Sequence, residues 1–212
     1  MKNVILLILV LSFGSCAIKK NTEIEDKSNF TFASIAESFD AKKTNYIGFK
    51  KNCIGINRLE KATKINCRNC YSKNDIYIFW NDHEKSYVQK FDNCSAFNSV
   101  IISGFTPNEF LKKNTTELQT NVVGGYKINK DSYIGTSHSC YRNFIVNDGL
   151  LKYEKGFDVL KLTGENENLN YKLNNSLKIV ALEKILNGII LKLESQNQFK
   201  RNKKTCLKNV YN

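Results

Sequence analysis

The sequence predicts an α+β domain, mostly antiparallel sheet with a C-terminal amphipathic helix, stapled by disulfides. Three observations predict it. Runs dense in β-branched and aromatic residues, separated by turn residues, fill the middle of the chain. Ile179, Leu182 and Leu186 repeat at helical spacing near its end. Seven cysteines stand behind an N-terminal segment with the layout of an export signal.

That segment comes first. Lys2 precedes an apolar run, Val4 to Leu11, then small residues and Cys16. The run is far short of the roughly 20 apolar residues that span a bilayer. Lys19 and Lys20 close it. Residues 1–15 therefore read as a removable signal peptide. Phe13-Gly14-Ser15-Cys16 resembles the lipobox of bacterial lipoproteins, with Phe13 where Leu is usual. The resemblance covers these residues only. It implies that Cys16 receives a diacylglyceryl thioether and becomes the mature N-terminus, anchoring the chain to a membrane through its acyl chains. The rival is ordinary secretion with cleavage near Gly14 to Ala17. Residues 16–29 then form a lipidated cysteine and a polar tether of mixed charge, and 30–212 a single globular domain.

Along that domain, Phe32, Ile35, Ala36 and Phe39 fall at helical spacing and predict a short helix. Ile76–Trp80, Tyr87–Phe91 and Phe97–Ile102 read as strands of a meander. Asn81-Asp82 and Asp92-Asn93 supply the turns. Thr106-Pro107-Asn108-Glu109 carries an N-cap, a first-turn proline and an acid at N3, so a helix should run from there to about Lys113. Strands are expected near Tyr126–Ile128, Ser132–Ile134, Tyr141–Val146 and Leu150–Leu162. Ser176 reads as the N-cap of the C-terminal helix. Asn187-Gly188 reads as its end, with Ile189–Leu193 as a final strand; one helix running through Gly188 is the other reading.

The formal charge is +12, and all but four of the 32 cations are lysine, in a chain also rich in Asn. Nucleic-acid sites favour the bidentate guanidinium, so no nucleic-acid partner is expected. The charge reads as solubility and background affinity for anionic surfaces. The densest basic cluster, Lys200, Arg201, Lys203, Lys204 and Lys208, is the candidate contact for an anionic lipid, glycan or acidic protein.

Setting Cys16 aside leaves six cysteines: Cys53, Cys67, Cys70, Cys94, Cys140 and Cys206. An even count fits an oxidising compartment. The expected pairing is two bridges among Cys53, Cys67, Cys70 and Cys94, and one from Cys140 to Cys206. Cys67-Arg68-Asn69-Cys70 also has the spacing of half a zinc site or of a thiol redox motif. No second ligand pair follows, and the flanks lack the apolar strand and helix a redox motif needs, so no metal and no cofactor is expected. His138-Ser139-Cys140 places a base beside a thiol, and Trp80-Asn81-Asp82-His83-Glu84 is a polar group at a strand end. Neither is a recognised catalytic constellation.

The function expected is a non-enzymatic binding or structural module of the cell envelope, at the outer membrane or cell surface. The alternatives are an exported hydrolase, a thiol oxidoreductase using Cys67 and Cys70, or a eukaryotic secreted glycoprotein. Asn29, Asn93, Asn114 and Asn174 each fit the glycosylation acceptor pattern.

Overall fold

The computed structural model describes residues 31–42, 44–54, 75–92 and 95–202. The segments expected as signal peptide and tether, with Cys16, lie outside the described residues.

Helix α1 (Phe32–Asp40) opens the described chain. Thr31 and Ser34 cap it reciprocally: Ser34 N donates to Thr31 Oγ1 and Thr31 N donates to Ser34 Oγ. Strands β1 (Tyr46–Cys53), β2 (Ile76–Asp82), β3 (Lys85–Phe91) and β4 (Ala96–Ile102) follow, then helix α2 (Pro107–Thr120). A two-stranded satellite, β5 (Tyr126–Lys127) and β6 (Tyr133–Ile134), precedes β7 (Cys140–Asn147) and β8 (Lys152–Asp158). Helices α3 (Tyr171–Ser176) and α4 (Lys178–Ser195) end the order. The main sheet has six strands in the order β4-β3-β2-β1-β7-β8, all antiparallel. The predicted α+β fold with a mainly antiparallel sheet and a C-terminal helix is therefore present.

Alternation along the strands gives the sheet two buried faces. On the front, Ile47, Phe49, Tyr77, Phe79, Val88, Phe144 and Val146 pack against Leu111 and Leu118 of α2 and Leu182, Leu186, Ile190 and Leu193 of α4. On the back, Ile35, Ala36 and Phe39 of α1 cover Tyr46, Ile76, Ile78, Phe91 and Ile145. Gly48 seats the helix. A Cβ there would lie 2.7 Å from the Phe32 ring and 3.2 Å from Ile78. Asp40 ties the other end of α1 down, accepting from Tyr46 (2.9 Å), Asn147 (2.8 Å) and Lys152 (2.6 Å). Burial alone would raise its carboxyl pKa, but the bonds from Lys152, Asn147 and Tyr46 outweigh that and lower it.

Four expectations are corrected. Helix α2 runs on to Thr120, because Leu118 is buried two turns past Leu111. Its polar middle is tolerated because Asn114 and Thr115 bond back to the carbonyls of Phe110 and Leu111. Thr106 makes no side-chain cap bond there. The β2–β3 turn falls on His83-Glu84, not Asn81-Asp82, with His83 at φ 53° as a two-residue hairpin requires. The segment expected as one strand from Leu150 to Leu162 ends at Asp158. The Asp158 carboxylate accepts from Leu160 N and starts a 3-10 turn over Val159–Leu162.

The fourth concerns the C-terminal helix. Ser176 closes α3, and α4 runs unbroken through Gly188 to Ser195, with no strand at Ile189–Leu193. Ile190 and Leu193 continue the buried stripe of Leu182 and Leu186, and that burial overrides the glycine. Gly188 is exposed, and a Cβ there meets nothing within 4 Å. Gly188→Ala should therefore stabilise the protein by about 0.5–1 kcal/mol in urea unfolding, with an unchanged m-value. A loss of stability would show that α4 is broken at this residue.

Candidate functional site

Two regions bring polar and aromatic side chains together. The first is a charged seam between the sheet and α4. Lys51 on β1, Tyr77 on β2 and Lys90 on β3 share the front face. Lys90 Nζ lies 2.9 Å from both Asp75 and Glu194. Tyr77 donates to Glu194 at 2.5 Å, and Lys51 donates to Asn187 at 3.2 Å. One strand over, Arg142 Nε donates to Glu183 at 2.8 Å.

The electrostatics follow from burial and pairing. Burial would lower the Lys90 pKa, but Asp75 and Glu194 outweigh it and raise it. Glu194 mirrors this: burial pushes up, the bonds from Tyr77 and Lys90 pull further down. Burial drives Tyr77 upward, with Asp75 and Glu194 adding to it, so its hydroxyl stays a neutral donor. Lys51 is lowered by burial despite Glu194. These charges satisfy one another and clamp α4 to the sheet, which is structural work.

The second region is the back face. Among the described residues, helix α1 lies over its centre and leaves a strip open on either side. On one side Trp80, Tyr87 and Ile101 stand in register across β2, β3 and β4. Trp80 and Tyr87 stack with centroids 5.4 Å apart and planes 16° apart, and Phe39 of α1 meets Trp80 edge-on at 5.2 Å. Ile101 is 58% exposed. Tyr87 borders a depression of about 430 Å³ shared with Asp82, His83, Glu84 and Lys85. On the other side Phe32, Lys50, Asn143, Glu154 and Gly156 line a second depression of about 470 Å³. Gly156 keeps its floor open, since a Cβ there would lie 2.9 Å from Asn143 Oδ1.

The residues singled out from the sequence land as follows. Cys53 is bonded to Cys140, its direct partner in the β1–β7 register. This overturns a Cys140–Cys206 bridge and a Cys53 partner among Cys67, Cys70 and Cys94. Pairing of strands far apart in sequence, which cysteine spacing does not reveal, decided the match. Cys16, Cys67, Cys70, Cys94 and Cys206 lie outside the described residues, as do Lys203, Lys204 and Lys208. Lys200 is exposed. Arg201 is not free for a ligand. Its guanidinium bonds Asp92 at 2.5 Å and Ser95 Oγ, and lies 4.7 Å from the Phe97 ring centroid.

His83 is exposed on the hairpin, its Nδ1 2.8 Å from Asp82. His138 is exposed too, and the thiol it was to activate, Cys140, is consumed in the disulfide. Asn114 is 7% exposed and Asn174 is 0% exposed. The Asn174 amide bonds Gly124 N, Gly124 O and Lys161 O. Neither has room for a glycan in this fold.

Sequence reading missed the Trp80–Tyr87 pair because it set the turn two residues early. A turn at His83-Glu84 puts these two residues directly opposite each other. Nothing local signalled the second depression, whose walls come from α1, β1, β7 and β8. Among the described residues no helix is long and apolar enough to cross a membrane. Comparison with protein-family models, with curated proteins and with solved structures finds no match for this chain.

The seam carries a pH signature. A carboxyl held below its ordinary value of 4.5 contributes stability above that pH and loses it as the pH falls through the folded-state value. Glu194→Gln should cost about 1–2 kcal/mol at pH 7. It should also flatten the decline of stability below about pH 4.5 relative to the parent. Parallel acid limbs in chemical denaturation would remove Glu194 from this role.

Proposed function

We propose that this protein is a lipid-anchored, non-enzymatic binding module of the cell envelope, exported by its first fifteen residues and tethered through Cys16. The observation that carries the exported reading is the Cys53–Cys140 disulfide. Such bonds persist in oxidising compartments and are rare where thiols are kept reduced. The ligand-binding face is the open back of the sheet. There the stacked Trp80 and Tyr87 and exposed Ile101 lie beside the acid, amine and imidazole groups of the β2–β3 hairpin. Apolar ring surface next to hydrogen-bonding groups suits an envelope glycan, whose own faces alternate in the same way. Neither the seam, whose charges are spent on one another, nor His138-Ser139-Cys140, whose cysteine is in a disulfide, supports a catalytic reading, while the redox alternative at Cys67 and Cys70 lies outside the described residues.

Mass spectrometry of the native protein tests the address. The expected species begins at Cys16, carries acyl mass and partitions with membranes, and Cys16→Ser moves it to the soluble fraction. A soluble, unacylated chain beginning at Ala17 or later would sink the anchor. Cosedimentation with purified cell-wall polysaccharide tests the face. Tyr87→Ala should weaken retention about tenfold, the effect of losing one good ring contact, with little change in melting temperature. Retention unchanged by both Tyr87→Ala and Ile101→Asp would move the binding surface elsewhere.

A further inference from the structure

The second depression of the back face lies across α1 from the aromatic strip and has no part in the glycan reading. Its groups come from three adjacent strands. Lys50 on β1 stands opposite Asn143 on β7, and Asn143 opposite Gly156 on β8. Glu154, two residues before Gly156, faces the same way, because it pairs with Ile145 of the back cluster. Phe32, seated on Gly48, walls the depression from α1. Lys155 is committed to the other face, donating to Gln119 O at 2.5 Å.

The side chains of Lys50, Asn143 and Glu154 have no bonding partner among the described residues. Other cations of the sheet do: Lys90 has Asp75 and Glu194, Lys51 has Asn187, and Arg142 has Glu183. Lys50 and Asn143 are half-buried, so they have given up part of their water with no protein group in its place. Glu154 stands exposed at the rim. Two strand spacings of about 4.8 Å and two residues of about 3.3 Å put the Lys50 and Glu154 Cα atoms about 12 Å apart. Between the two charges lie an amide that both donates and accepts, a bare glycine floor and an aromatic wall.

We propose that this depression binds a small zwitterion of the dipeptide type. Its carboxylate meets Lys50, its ammonium meets Glu154, its peptide group bonds the Asn143 amide, and a side chain packs on Phe32. A simple anion would leave Glu154 facing a like charge, and a simple cation would do the same to Lys50. A ligand carrying both charges satisfies each. The volume of about 470 Å³ lies within the roughly 300–1,000 Å³ of small-molecule sites. Because both charges reach solvent, the affinity should be modest, with a Kd on the order of 1 mM.

Titration of the full chain with L-alanyl-L-alanine tests the site, read by NMR at the Asn143 side-chain amide and the Gly156 N–H. Both resonances should shift saturably. Acetylating the amine of the dipeptide, or amidating its carboxylate, should each weaken binding about fivefold. Lys50→Met should erase the preference for the free carboxylate, and Glu154→Gln the preference for the free amine. Neither side chain holds a partner among the described residues, so both variants should melt with the parent. No saturable shift, equal binding of the three probes, or unchanged preferences in both variants would overturn the proposal. So would acetate binding as tightly as the dipeptide, which would make this a simple anion site. Lys50→Met should keep full retention on cell-wall polysaccharide, so a failure here leaves the glycan reading standing.

Discussion

The fold hangs on the pairing of β1 with β7. Strand β1 lies between β2, its sequence neighbour, and β7, whose Cys140 follows Cys53 by 87 residues. Both faces of β1 are buried, Ile47 and Phe49 toward the helices and Tyr46 and Gly48 toward α1. A one-residue slip would put Tyr46 and the Phe32 seat on the wrong side of the sheet. Burial thus selects one register, and the Cys53–Cys140 bond locks it at one end. A bond closing a loop of that length contributes about 4–5 kcal/mol in the chain-entropy account.

That register divides the labour between the two faces. The front receives α2 and α4, and the charges caught beneath α4 cancel one another. Lys90 is shared by Asp75 and Glu194, and Arg142 is taken by Glu183. Pairing of this kind fixes where a helix sits. The back receives one nine-residue helix, too narrow for six strands. Among the described residues no other element covers its aromatic strip.

Much of this was legible in the sequence where one residue's neighbours decide its state. The density of Ile76–Trp80 and the spacing of Phe32, Ile35 and Phe39 are local signals, and each became the element predicted. Signals failed where distant packing overruled local preference. Gly188 reads as a stop, yet Ile190 and Leu193 carry α4 past it. Asn174 reads as a surface acceptor, yet it is the buried clasp that holds Gly124. The seam was invisible because Lys51 and Lys90 meet Asn187 and Glu194 from more than a hundred residues away. Arg201 shows the same limit: in sequence it belongs to a basic cluster, and in space it belongs to Asp92.

The seating of Phe32 on Gly48 has a mechanical meaning. A pull on the N-terminal end of α1 reaches the sheet first through that ring, then through Ile35, Ala36 and Phe39, and last through Asp40. The helix must peel away turn by turn, while the strands are held by whole ladders and by Cys53–Cys140. Helix α1 is thus an element whose opening would leave the β-ladders and the Cys53–Cys140 bond intact. Opening it would lay bare Tyr46, Ile78 and Ile145 between the aromatic strip on one side and the polar depression of Lys50, Asn143 and Glu154 on the other.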